Sequence, residues 1–380
     1  MNTSAFREGK KKLFCAKRAG ALFLAAVSAL TISACGSSNY DAADYVKLGD
    51  YKGVSVVIDG DYSTDDAALD AYIQKQIDQT IPFVQDDTQT KVHNDSYVNV
   101  DYVGTDASGT AFDGGSADDV TINVQGNSDA ESGTSYITGF SSGLVGAAVG
   151  STVSEQVKFP SDYSSADLAG QTVTFTFTVN YIAKQVTRAD LTDEMVSQYF
   201  GQSSVSDFED YERKALIDEK EGEREQDVIA ATKEKVVSNA KVTGYPKRAV
   251  SERVDDYLAR YTANYVPDGQ TLSEYLKKNY NETEDDFRDQ VEKTVKDNFS
   301  EELVFEAIAD KEEIYLDTDG FDSYCDQLMD SNNIDSRTDL YETYGQTASA
   351  GENYLKHFYI CNKALKWCAS KARVTEQSGE

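Results

Sequence analysis

Val173-Thr174-Phe175-Thr176-Phe177-Thr178-Val179-Asn180-Tyr181-Ile182 carries an apolar or aromatic residue at every second position. Successive strand residues point to opposite faces, so this run predicts a strand with one face in a core and its threonines on the other. Tyr97-Val98-Asn99-Val100-Asp101-Tyr102-Val103-Gly104 alternates in the same way. Between them come Gly109-Thr110-Ala111-Phe112-Asp113-Gly114-Gly115, the alternating Val120-Ile122-Val124, Tyr136-Ile137-Thr138-Gly139-Phe140 and Phe159-Pro160-Ser161-Asp162-Tyr163. Ser96 to Ile182 therefore reads as a small β-rich unit closed by its last strand.

Moving outward, Tyr45-Val46-Lys47-Leu48-Gly49-Asp50-Tyr51-Lys52-Gly53-Val54 opens a strand that runs to about Ile58. Thr64 is placed to cap a helix whose apolar side carries Ala67, Ala68, Leu69, Tyr72, Ile73 and Ile77. After Ile182 the period changes. Phe287, Val291, Val295 and Phe299 form one i, i+4 stripe, continued by Leu303 and Ile308, and Val250, Val254, Tyr257, Leu258 and Tyr261 form another, opened by Pro246. The spacing predicts helices over 192–200, 205–240, 246–265, 271–279, 283–310, 318–331, 336–344 and 350–371. The fold class expected is a multidomain α+β chain, a small antiparallel β domain followed by an all-α domain.

The first 34 residues stand apart. Arg7, Lys10, Lys11, Lys12, Lys17 and Arg18 precede an apolar run from Ala19 to Ile32, which is short for a membrane span. Ile32-Ser33-Ala34-Cys35 then looks like a bacterial lipobox, with Cys35 as the lipidated residue and Gly36-Ser37-Ser38 opening a flexible tether. The chain's formal charge is −30, and removal of a leader with six basic residues and one acidic leaves it more negative still. Such acidity opposes nucleic acid, whose phosphates would be repelled, and opposes a basic membrane-docking face. Cys325, Cys361 and Cys368 remain. Cys361 and Cys368 lie about 10 Å apart along one helix, too far for an unstrained bridge, and the absence of a CxxC spacing argues against a zinc site.

Other chemistries find no support. His93 and His357 are the chain's two histidines and neither sits in a nucleophile motif. Gly139 to Gly150 is glycine-rich but has no lysine to bind phosphate. Asp65-Asp66, Asp118-Asp119 and Glu284-Asp285-Asp286 lack the spacing of a calcium loop. No metal or cofactor is expected.

In order and spacing, the segments from Ser96 to Ile182 resemble the FKBP-type peptidyl-prolyl isomerase domain in the version carried by trigger factor. The Leu48-Gly49-Asp50-Tyr51-Lys52-Gly53 strand with its acidic-capped helix, and the helix junction from Asn239 to Pro246, resemble the matching parts of that family. The resemblance implies an isomerase domain over 93–185, a lead-in segment over 45–92 that packs with the helical domain, and a helical chaperone domain over 186–375. Residues 1–34 would be the signal peptide and 35–44 the tether, in the place of the family's ribosome-docking domain, so ribosome binding is not expected.

The resemblance also implies an apolar cup. Phe140 would floor it beneath the substrate proline, Tyr102, Phe112 and Phe175 would wall it, and the Ile137 N–H would bond a substrate carbonyl. Asp113 would face the amide from the rim, with Val120 and Tyr163 completing the substrate surface. Three features depart from the family pattern: Thr138 replaces the usual proline, Val120 replaces a common aromatic, and Gln125 to Ser135 reads as a polar insertion; Ser164 to Gly170 also lacks the aromatic and histidine of single-domain members, as trigger factors do.

The function implied is that of a lipid-anchored folding factor facing outside the cytoplasm, isomerising X-Pro bonds and holding unfolded or proline-containing exported polypeptides. Tyr257, Tyr261, Tyr265, Tyr275 and Tyr280 suit loose contact with such clients, or equally helix packing. The alternative is a non-catalytic client-binding or scaffold lipoprotein with a degenerate isomerase-like domain.

Overall fold

In a computed structural model, which describes residues 40–345 and 347–377, the alternating run lies within a strand spanning Thr172–Gln185. In chain order the strands and helices begin with β1 (Val46–Lys47), β2 (Ser55–Asp59), α1 (Asp66–Thr80), β3 (Phe83–Gln85), β4 (Tyr97–Thr105), β5 (Ala111–Asn123), β6 (Ser128–Asp129), β7 (Thr152–Lys158) and β8 (Thr172–Gln185). There follow α2 (Asp193–Tyr199), α3 (Val205–Asn239), β9 (Lys241–Val242), α4 (Lys247–Tyr265), α5 (Leu272–Tyr280) and α6 (Glu284–Lys311). The series ends with α7 (Thr318–Asn332), α8 (Arg337–Tyr344), α9 (Ala348–Lys371) and β10 (Arg373–Gln377). By packing, Ser63–Ile217 forms one unit, while the described residues of 40–62 and 218–377 form the other.

The Ser63–Ile217 unit is built on a six-stranded sheet ordered β3-β8-β4-β5-β6, with β7 also on β8. β8 pairs along its length with β4; on its other edge β7 takes residues 172–178 and β3 takes residues 183–185. From Val173 to Val179 the odd-numbered residues are buried, as the period-two pattern demands, and Phe177 is fully so. The alternation shifts beyond Val179, opposite a register break between Asn99 and Val100. There Asn180 donates to the Asn99 and Asp101 side-chain oxygens at 3.0 Å, and Asn99 donates to Asp119 at 3.1 Å. The Asp119 N–H and the Asn180 amide both bond Asp101, holding its carboxyl below the usual range.

α1 is capped one residue later than the sequence predicts. Asp65, not Thr64, accepts from the Ala68 N–H at 2.9 Å, and its carboxylate also suits the positive end of the helix. Leu69, Tyr72, Ile73 and Ile77 of α1 are buried with Val186, Leu191, Val196, Phe208 and Leu216. The lead-in segment is thus shared out by packing: α1 sits on the first helices after β8, β3 joins the sheet, and β1 and β2 belong to the other unit.

In that second unit β1 pairs antiparallel with β9, and β2 pairs parallel with β10, from Ser55–Arg373 to Asp59–Gln377. The stripe Val291, Val295, Phe299, Leu303 and Ile308 on α6 is buried, together with Val250, Val254 and Leu258 of α4. A smaller cluster joins Phe321, Cys325 and Leu328 of α7 with Leu340 of α8 and Leu355 of α9. Every helix boundary falls within two residues of the sequence expectation. Asn281 and Asn333 close α5 and α7 in the left-handed conformation that asparagine tolerates. Cys325, Cys361 and Cys368 are free and buried. No described helix is long and apolar enough to cross a membrane.

Candidate active site

Six rings meet at one end of the β4–β8 pair. Tyr102 on β4 and Phe175 and Phe177 on β8 each meet Phe140 edge-on, with centroids at 5.1, 4.7 and 5.0 Å. Phe112 on β5 meets Phe175 at 5.9 Å, which brings it to the same wall. Gly104 and Gly115 let these rings close. A Cβ on Gly104 would stand 2.7 Å from both Phe112 and Phe175, and one on Gly115 only 2.5 Å from Phe112. Phe140 is 2 % exposed and Phe175 4 %, so the residues expected to form floor and wall are also core.

The sixth ring is Tyr136, which stacks on Phe140 at 4.3 Å with the planes 25° apart. Burial, Tyr102 and the Asp129 carboxylate all push its hydroxyl's pKa upward, and burial and Asp129 do the same for Tyr102.

The loop that carries Ile137 is held by Asn127. Its side-chain amide donates to the carbonyl oxygens of Tyr136 (3.1 Å) and Ile137 (3.0 Å), while its Oδ1 accepts from the Ser141 N–H and hydroxyl. Its own carbonyl takes the Tyr136 N–H at 2.9 Å. Asn127 achieves this with a positive φ of 48°, a backbone state to which asparagine is well suited. The Ile137 carbonyl accepts from the Phe140 N–H as well, yet the Ile137 N–H donates to no described residue. It is an uncommitted donor beside the apolar floor.

The other expected residues are more dispersed. Val120 is half-buried at the margin of the same core, opposite Val100 in the sheet register. Tyr163 is 37 % exposed and meets the cup indirectly, through Phe159 (4.6 Å), which in turn meets Phe112 (6.1 Å). Asp113 is exposed on an irregular stretch of β5, just before Gly114 at positive φ, and no described residue bonds it. Cys35 lies outside the described residues. Sequence reasoning missed Asn127, Tyr136 and Phe177 as parts of the site. Phe177 was legible in the period of β8, whereas Asn127 lay in what read as a polar insertion.

In the helical unit the tyrosines divide. Tyr257 and Tyr261 pack against the α4–α6 core, Tyr261 lying 4.8 Å from Phe287, while Tyr265 and Tyr280 are 56 % and 59 % exposed. A second polar centre lies deeper. Arg253 stacks over Phe299 at 3.7 Å and donates to Glu302 at 2.8 Å, and His357 Nε2 stands 3.5 Å from the same carboxylate oxygen. Burial pushes the Glu302 carboxyl upward, but Arg253 and His357 overcome it and hold the pKa at about 2. The Cys361 thiol, 3.7 Å from His357, is pushed up by burial.

One unit carries an aromatic cup on a small antiparallel sheet and the other is helical with exposed aromatic side chains, the two parts expected of a folding factor. Comparison with known proteins agrees. Residues 88–182 match the FKBP-type peptidyl-prolyl cis-trans isomerase family, and residues 204–370 match the bacterial trigger factor protein (TF) C-terminus. The trigger factor of Levilactobacillus brevis is 30 % identical over 346 residues, covering 86 % of this chain and 71 % of that protein. The trigger factor of Streptococcus mutans serotype c is 29 % identical over 332 residues, covering 87 % and 73 %. This chain belongs to the trigger factor family.

Proposed function

We propose that this member of the family is an extracytoplasmic, lipid-anchored folding factor that isomerises X-Pro bonds in the cup and holds unfolded exported chains on its helical unit. The observation that carries the catalytic part is the unpaired Ile137 N–H beside the Phe140 floor. The amide barrier of about 18–20 kcal/mol reflects double-bond character that the twisted state has lost. A site lowers the barrier only by favouring that twisted state over either planar one. Phe140, Phe175 and Phe112 would seat the proline ring and keep water from the amide, whose planar form water stabilises through its carbonyl. The Ile137 N–H would bond the carbonyl of the segment and fix its position while the C–N bond turns. No acid, base or metal is required.

The anchoring part rests on the basic and apolar run ending at Cys35. The client-holding part rests on Tyr265 and Tyr280, whose rings offer an apolar face with a wettable tip. A non-catalytic client-binding lipoprotein is the second reading, and the Tyr136 ring over Phe140 is what favours it. Fractionation of cells making the full chain and Cys35→Ala tests the anchor. Recovery of the wild type with membranes and of the variant in the soluble fraction supports it, and identical behaviour of the two removes it.

A further inference from the structure

The cup contains a side chain of its own. Tyr102, Phe175 and Phe177 meet Phe140 at interplanar angles of 85°, 76° and 78°, and so frame the ring without lying along it. Tyr136 lies nearly parallel at 4.3 Å, which is van der Waals stacking distance. A proline ring that packs flat on Phe140 needs that same space. Tyr136 is also only half-buried, and Tyr102 meets it edge-on at 6.5 Å. Its main chain is fixed at both ends, since its N–H bonds the Asn127 carbonyl and its carbonyl takes the Asn127 amide. The ring can therefore leave Phe140 by side-chain rotation alone, with the Ile137 donor undisturbed.

The segment once read as a polar insertion supplies the counterweight. Asp129 sits in a tight turn in which its carboxylate accepts from the Glu131 and Ser132 N–H groups and from the Ser132 hydroxyl. The Asp129 carboxylate also acts on the Tyr136 hydroxyl, an interaction that the ring keeps only in its parked position.

Resting on the isomerase reading above, we propose that Tyr136 is a self-occluding residue of the cup, a ring that occupies the proline seat in the free protein and must rotate out for an X-Pro segment to bind. The vacant cup is then a minor state, and apparent affinity falls by the fraction of molecules in that state. Tyr136 thereby raises KM and leaves the bound-state chemistry unchanged. Removing the ring is expected to tighten binding roughly three- to tenfold, the range set by a single aromatic stack. The residues that hold the proline would be the same with or without it.

The test uses the full chain in mild detergent as wild type, Tyr136→Val, Tyr136→Leu and Tyr136→Phe. An Ala-Leu-Pro-Phe peptide is titrated in by NMR, and its cis/trans exchange rate is measured in the same samples. Tyr136→Val and Tyr136→Leu should bind three- to tenfold more tightly and show a correspondingly lower KM, and Tyr136→Phe, which keeps the ring but loses the hydroxyl that Asp129 acts on, should fall between them and wild type. Tyr136→Leu keeps apolar bulk in the gap, so it serves if the valine variant is poorly folded. Folded valine or leucine variants that bind no tighter than a catalytically active wild type overturn the inference and leave the isomerase reading standing. Tighter binding with exchange no faster than the uncatalysed rate in wild type and every variant upholds the parked ring and removes the catalysis. Absence of both binding and exchange throughout overturns both.

Discussion

The Asn127 side-chain amide donates to the Ile137 carbonyl at 3.0 Å, and so one residue from an exposed-looking polar stretch sets the position of the donor beside the Phe140 floor. Asn127→Ala removes this bond and three others made by the same side chain, and keeps the positive φ without asparagine's tolerance for it. Leaving such groups without partners costs about 1–3 kcal/mol. The expected result is a lower urea midpoint with an unchanged β-sheet spectrum, and a fall in isomerase rate of at least tenfold. A variant with reduced stability but full activity would show that Asn127 does not position the site.

Phe112 and Phe140 should separate activity from stability. Phe140 meets four rings and is buried, so Phe140→Ala is expected to lose about 3–5 kcal/mol as well as activity. Phe112 is half-buried at the edge of the same core, and Phe112→Ala should lose activity at a smaller cost in stability. Chemical denaturation of both variants beside the exchange assay checks the contrast.

Glu302 makes the helical unit sensitive to acid. Its folded pKa, held at about 2, lies below the ordinary carboxylate value, so its contribution is present above about pH 4.5 and is lost as pH falls toward 2. Glu306, pushed upward by burial, acts in the opposite sense, and comparison with Glu302→Gln isolates the one from the other. At pH 7 Glu302→Gln leaves Arg253 buried without its carboxylate and should cost about 3–5 kcal/mol. Urea unfolding at pH 7 and pH 3 should show that deficit shrinking in acid. His357, raised well above its ordinary value by Cys361 and Glu302 against the pull of burial, contributes below about pH 6.5 and loses that contribution as pH rises through its folded value.

Tyr265→Ser with Tyr280→Ser addresses client holding. Both rings are more than half exposed, so the double variant should melt within about 2 °C of wild type, as surface changes usually do. Suppression of aggregation of a reduced, unfolded protein, followed by light scattering, should weaken at least twofold. Equal suppression by the two proteins would place client contact elsewhere.

Much of the fold was legible because its signals are local. The alternation in β8 and the i, i+4 stripe on α6 each arise from one period and one buried face, and both landed on the intended residues. Pairings across long stretches of chain were not legible. β10 joins β2 in parallel more than 300 residues away, and its sequence Arg-Val-Thr-Glu-Gln shows no apolar run to announce a strand. Asn127 escaped notice because its role depends on a left-handed backbone and on carbonyls nine and ten residues later. Asn99, Asp101, Asp119 and Asn180 read as ordinary polar positions, and only the register break between Asn99 and Val100 explains why they meet. Tyr136 stood beside Ile137 with no role in the cup, since nothing in a sequence says which way a half-buried ring turns.

The most direct measurement is the refolding rate of a disulfide-free protein whose slow phase is limited by X-Pro isomerisation, with the full chain added in catalytic amounts. The slow phase should accelerate in proportion to the concentration of the chain, more steeply with Tyr136→Val and not at all with Phe112→Ala. A slow phase unchanged by wild type and by Tyr136→Val, both well folded, would contradict the assignment of the cup as an isomerase site.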